Sequence, residues 1–188
     1  MTPSTNTKRA CAWSLMLLAV SVSGCWREGD EDPTCETADR VGQPVVSACT
    51  RLVVLENHGG GFRPSPPDGS DCMGEASYAL DLQTGDLDYT VCDISFTDLP
   101  SPWKKRSGNL TLDAEQLAQA AAALAMMKMT SEDEACGADK SLLTITVHNS
   151  DQAATYTDNF YSCSDIPGRF VSDIDAPFNV LRPIVQPE

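Results

Sequence analysis

Leu142-Leu-Thr-Ile-Thr-Val-His148, a turn at Asn149–Gln152, and Ala154-Thr-Tyr-Thr-Asp-Asn-Phe160 read together as a β-hairpin. Leu143, Ile145 and Val147 alternate with Thr144, Thr146 and His148, the two-residue period of a strand with one face buried and one face wet. A hairpin so close in sequence is antiparallel, which points to an antiparallel sheet rather than a doubly wound one. If the turn is centred at Asn149–Gln152, opposed positions carry residue numbers that add to about 301.

A second hairpin lies upstream. Ala76, Tyr78, Leu80 and Leu82 alternate with polar neighbours, Thr84-Gly85-Asp86 turns the chain, and Leu87, Tyr89 and Val91 alternate on the return. The phase slips at Cys92-Asp93, which predicts a bulge. Short strands are expected at Arg51–Glu56 and Ser107–Leu112. The main helix is expected over Ala114–Met129. Asp113 and Gln116 have capping-box spacing, and Leu117, Ala120, Leu124 and Met127 share one face. A short helix from Ile174 to Leu181 follows, with Pro177 in its first turn and Pro183 ending it. The fold class is therefore α+β: a mainly antiparallel sheet of two hairpins plus short strands, one main helix over about 114–129 and a short C-terminal helix.

The first residues have a different character. Lys8 and Arg9 precede the apolar run Ala10–Val22, and Val22-Ser23-Gly24-Cys25 closes it with small residues and a cysteine. Thirteen residues make a helix of about 20 Å, short of a hydrocarbon core of about 30 Å, so this is a signal peptide and not a membrane span. Its ending resembles the lipobox of bacterial lipoproteins. That resemblance implies cleavage after Gly24 and acylation of Cys25, with palmitate-type chains anchoring the protein. Trp26, where an Asp would favour inner-membrane retention, implies the outer membrane. Residues 1–24 are thus a lipoprotein signal peptide, 25–44 a polar, turn-rich tether, and 45–188 a single disulfide-stabilised α+β domain.

Removing Lys8 and Arg9 takes the formal charge from −14 to −16 and leaves 164 residues. Nucleic acid is excluded as a partner, because phosphate binding needs clustered Lys and Arg. The one basic run, Lys104-Lys105-Arg106, is expected in a solvated loop. Of eight cysteines, Cys11 leaves with the leader and Cys25 carries lipid. The remaining six read as three disulfides of an oxidising compartment. Fifteen pairings of six cysteines are open to the sequence. Geometry argues for Cys136 with Cys163, which flank the open end of the second hairpin; Cys72 and Cys92 bracket the first less symmetrically, and Cys35 with Cys49 would then remain. No spacing of His or Cys suggests a metal, and no cofactor fingerprint is present.

From Cys72 onward the chain resembles a class of uncharacterised bacterial lipoprotein domains. The likeness is carried by the early hairpin, Leu110-Thr-Leu-Asp-Ala-Glu-Gln-Leu117, Cys136-Gly-Ala-Asp139 and Tyr156-Thr-Asp-Asn-Phe-Tyr-Ser-Cys163. It implies a fold and lends no catalytic residues. His58-Gly59-Gly60-Gly61 looks like an oxyanion-hole motif of esterases, but the partner motif GxSxG is missing. The leading expectation is a membrane-anchored, non-enzymatic binding or envelope-associated lipoprotein. The alternatives are a secreted hydrolase using His58 or His148, or an inhibitor of an exported enzyme that inserts the Asn57–Asp71 loop. Tyr156, Phe160 and Tyr161 offer an aromatic cluster that could serve a protein partner if exposed, although alternation must bury one face and core packing accounts for at least part of the set.

Overall fold

The two alternating stretches flank a common neighbour, and that arrangement organises the sheet. The computed structural model describes residues 35–59, 65–94, 101–131, 140–150, 152–161 and 168–186. Strand β1 (Leu52–Asn57) pairs antiparallel with β2 (Ala76–Asp81) on one side and with β6 (Leu143–His148) on the other. The first hairpin continues into β3 (Asp86–Asp93) and then β4 (Lys104–Thr111). The second continues into β7 (Ala153–Asp158), in the register read from the sequence: Thr144 faces Thr157 and Ile145 faces Tyr156. Strand β8 (Arg169–Val171) then pairs parallel with β7, and β5 (Met129–Thr130) closes the order β4-β3-β2-β1-β6-β7-β8-β5. The fold is α+β with a mainly antiparallel sheet of eight strands.

One sheet face is packed. Val53, Leu55, Tyr78, Leu80, Leu87, Val91, Ile145 and Val147 form its core against helices α1 (Ala114–Met126) and α2 (Asp175–Val185). Asp113 caps α1 as expected: its carboxylate accepts from the Glu115 and Gln116 N–H groups while the Gln116 side chain accepts from Asp113 N–H. The helix stops at Met126, earlier than composition suggests. Met127 turns extended, its side chain fully buried, and residues 42–45 then pair with residues 127–129. Helix-forming side chains yield here to non-local strand pairing. The same bonds show that residues 35–44 belong to the folded unit and are not tether: Ala38 is buried, and all described residues fall in one compact unit.

Three further expectations are corrected. No bulge occurs at Cys92-Asp93, since β3 keeps unbroken register with β4 through Cys92–Lys105 and Asp93–Lys104. Val91 and Cys92 are both buried because each face has its own apolar cover; Cys92 packs with Cys72, Trp103 and Ile94 in a small second cluster. Lys104-Lys105-Arg106 is not a loop but the start of the edge strand β4. Arg106 reaches inward to Asp93 at 2.9 Å and to the Val185 carbonyl at 2.6 Å, where the negative end of α2 favours a cation. That guanidinium, with Gln186, holds the Asp93 carboxyl below its usual range. Pro183 lies inside α2 and does not end it. A proline in the last turn removes one N–H, and the burial of Val185 and its bond to Arg106 hold the helix past that point.

Replacing Asp113 by Ala removes both side-chain cap bonds, and we expect it to lower unfolding stability by about 1 kcal/mol. A shifted midpoint in urea denaturation at unchanged slope checks this.

Candidate functional site

The face of the sheet opposite the helices has polar rows. Across the strands, Ser107, Thr90, Ser77, Glu56, Thr144 and Thr157 occupy successive paired positions. Neighbouring hydroxyls bond to each other, Thr90 with Ser107 at 2.8 Å and Thr146 with Thr155 at 2.9 Å. This is the wet side of the alternation, and threonine suits it because its branched side chain packs on a pleated surface.

At one end of this face lies a groove of about 260 Å³. Glu56 and His58 line it from β1 and its extension, Ser77 and Thr90 from β2 and β3, and Lys105 from the edge; the Cys72–Cys92 pair forms part of the wall. His58 is exposed, and its Nε2 lies 2.8 Å from Thr144 Oγ1. Its backbone continues the β1–β6 ladder, with His58 N–H bonded to Leu142 C=O and Leu142 N–H to Gly59 C=O. Gly59 adopts φ +75°, a left-handed conformation in which its own N–H turns to the Asn57 side chain at 2.9 Å. That N–H is therefore engaged and is not an oxyanion donor. Gly60 and Gly61 lie outside the described residues. The groove offers hydroxyls that donate and accept, a carboxylate that accepts and an ammonium that donates, an inventory suited to a small polar ligand.

The other sequence-marked residues are dispersed. His148 lies opposite Leu52 and Ala153, four positions along β6 from Thr144 and so about 13 Å from the His58 contact. Cys35 pairs with Cys49 and Cys72 with Cys92, at Cα separations of 5.5 and 5.7 Å, in the connectivity read from the sequence. Cys136 and Cys163, like Cys25, lie outside the described residues. Of the three aromatic residues, Tyr156 belongs to the core, as the alternation requires of one face. Tyr156 is 0% exposed, its hydroxyl donating to the Ala38 carbonyl at 3.0 Å. Burial pushes its phenol pKa up, against the opposing pull of Arg169, whose guanidinium lies 5.9 Å over the ring. Phe160 is half-buried beneath Lys140, and the Tyr161 side chain lies outside the described residues. Among the described residues, no three His, Cys, Asp or Glu side chains converge as a metal site.

Sequence reading missed one charged cluster. Asp158, only 2% exposed, pairs with Lys140 at 2.5 Å, and Lys140 also reaches Asp175 at 2.7 Å in the first turn of α2. The alternation of β7 contained the signal, because Asp158 shares the inward parity of Tyr156. Burial opposes the charge on Lys140, but the two carboxylates outweigh it and hold its pKa above 10.5. The cluster ties the entry of β6, the end of β7 and the start of α2 together; it is a fastening, and none of its residues lines the groove.

Comparison with known protein families, curated proteins and solved structures finds no match to this chain.

Lys140→Met strands a buried carboxylate. We expect a loss of about 2–3 kcal/mol, less than a fully buried pair because Lys140 keeps nearly a third of its surface in water. A group whose folded pKa is raised stabilises below its unfolded value and ceases to as pH passes the folded one. The gap between wild type and Lys140→Met in denaturant midpoint should therefore close in alkaline solution above pH 10.5.

Proposed function

We propose that the protein is an exported lipoprotein, anchored in the bacterial envelope through lipid on Cys25, with a domain that serves as a binding module and not as an enzyme. The observation that carries the export reading is the pairing of all four described cysteines as disulfides, Cys35–Cys49 and Cys72–Cys92. Such bonds persist in oxidising compartments, where a leader of this layout delivers its cargo. The anchor follows from the lipobox likeness at Val22–Cys25. A single acyl chain holds marginally and two or more hold firmly, at about 0.8 kcal/mol per buried methylene, so a diacylated Cys25 would be a stable attachment. The binding reading is supported by the polar groove whose walls come from β1 to β4 together with His58, Cys72 and Glu75 of the connection that the Cys72–Cys92 pair ties to β3.

A hydrolase is the second reading, and one observation favours it: the imidazole–hydroxyl contact of His58 and Thr144 at 2.8 Å. A nucleophile and base within hydrogen-bond reach are the start of covalent catalysis, which also needs a group orienting the base and donors for the oxyanion. The engaged N–H of Gly59 weakens that case. His148, remote from this pair, adds nothing to it.

Metabolic labelling with a palmitate analogue should be present in the wild type and lost in Cys25→Ala; unchanged labelling would remove the anchor. A screen of the purified protein against ester, peptide and glycan substrates should show no turnover. Turnover abolished by both His58→Ala and Thr144→Val would replace the binding module with an enzyme.

A further inference from the structure

The sheet ends on one side at β4, and the alternation of its backbone shows which groups face outward. Cys92 N–H bonds to the Glu75 carbonyl, away from β4, so Cys92 and its paired residue Lys105 form a non-hydrogen-bonded pair. Lys105 N–H accordingly points off the edge, where the Asp71 carboxylate takes it at 2.6 Å. By the same parity Ser107, Asn109 and Thr111 present their N–H and C=O groups outward, and no described group of the protein pairs with them. The free stretch is bounded at both ends. The loop of Gly69, Ser70 and Asp71 is bonded along Trp103–Lys105, and Asp113 N–H is engaged by Gln116 Oε1.

Ser107-Gly-Asn-Leu-Thr111 carries none of the devices that protect edges: no charge, no proline and no bulge. We propose that this edge is an interface for a second copy of the chain, with the two β4 strands antiparallel about a two-fold axis at Asn109. That register alone pairs every free outward residue with another free one: Ser107 with Thr111 of the second copy, Asn109 with its equivalent, and Thr111 with Ser107, giving up to about six backbone hydrogen bonds. It sets Leu110 against Gly108 of the other copy. It also places Lys105, whose ammonium has no carboxylate within ion-pair distance among the described residues, opposite Asp113 of the second copy, once on each side of the axis. The positive end of each edge meets the negative end of the other, as an isologous contact requires. Pairing one register to either side would oppose a free residue to the blocked N–H of Lys105 or Asp113. The buried area is small, so the contact suits molecules held close together, and confinement on a membrane would raise their effective concentration.

The register is tested by single cysteines in the full-length protein under mild oxidation. Asn109→Cys places two thiols in a hydrogen-bonded pair with Cα atoms about 5.5 Å apart, within the disulfide range of about 4.4–6.8 Å. Ser107→Cys alone leaves its equivalents about 13 Å apart. Most Asn109→Cys protein should run as a dimer on non-reducing gels, Ser107→Cys should remain monomeric, and the double variant Ser107→Cys with Thr111→Cys should cross-link again. A folded Asn109→Cys protein, by circular dichroism, that stays monomeric would overturn the proposal. Equal cross-linking at all three positions would overturn it too.

Discussion

Val53 and Leu55, inward-facing on the central strand, are the constraint on which the sheet depends. Both are essentially without solvent contact, and they lie between Leu80 and Tyr78 on one side and Val147 and Ile145 on the other. Side chains alternate with a strict period of two, so a one-residue slip of either hairpin would expose its whole apolar set and bury hydroxyls and a carboxylate. One short strand therefore registers both hairpins at once. The edge-on contact of Tyr78 with Phe178, rings 5.8 Å apart, carries that constraint into α2, and Leu124 and Met127 carry it into the α1 end of the core.

Away from this centre, apolar contacts thin out and other bonds take over. The segment before β1 is held by Cys35–Cys49, by Asn149 donating to the Cys35 carbonyl, and by Tyr156 donating to Ala38. The loop before β2 is held by Cys72–Cys92 and the contacts of Ser70 and Asp71 with the edge. Both ends of α2 are fastened by charge, Lys140 to Asp175 at its start and Arg106 to Val185 at its end. A disulfide acts chiefly by restricting the unfolded chain, with loops of about 15 residues worth about 3 kcal/mol. It suits segments that cannot bury enough surface to hold themselves.

The polar face and the edge strand are the other side of the same constraint. A sheet that packs on one face must leave the second face wet, and an open sheet must end somewhere. The groove at His58 and Glu56 lies on that wet face, and the outward backbone groups of Ser107, Asn109 and Thr111, unpaired among the described residues, lie at that end. The acidic overall charge keeps such a surface solvated.

The sequence by itself determined whatever depends on neighbours within a few residues. The alternation and turn set the register of the second hairpin, the Asp113–Gln116 spacing set the helix start, and the bracketing of the first hairpin pointed to the Cys72–Cys92 bond without excluding other pairings. Tertiary structure decided what depends on distant chain. It ended α1 at Met126 in favour of pairing with residues 42–45, and made an edge strand of a basic run. It buried Tyr156 beneath Ala38 and recruited Arg169–Val171 as a parallel neighbour of β7. A three-residue strand carries too little pattern to announce itself, and a parallel partner has no tight turn to betray it. The physical reason is common to all of these: local periodicity records which face of an element is apolar, while which element covers that face is set only when the whole chain competes for burial.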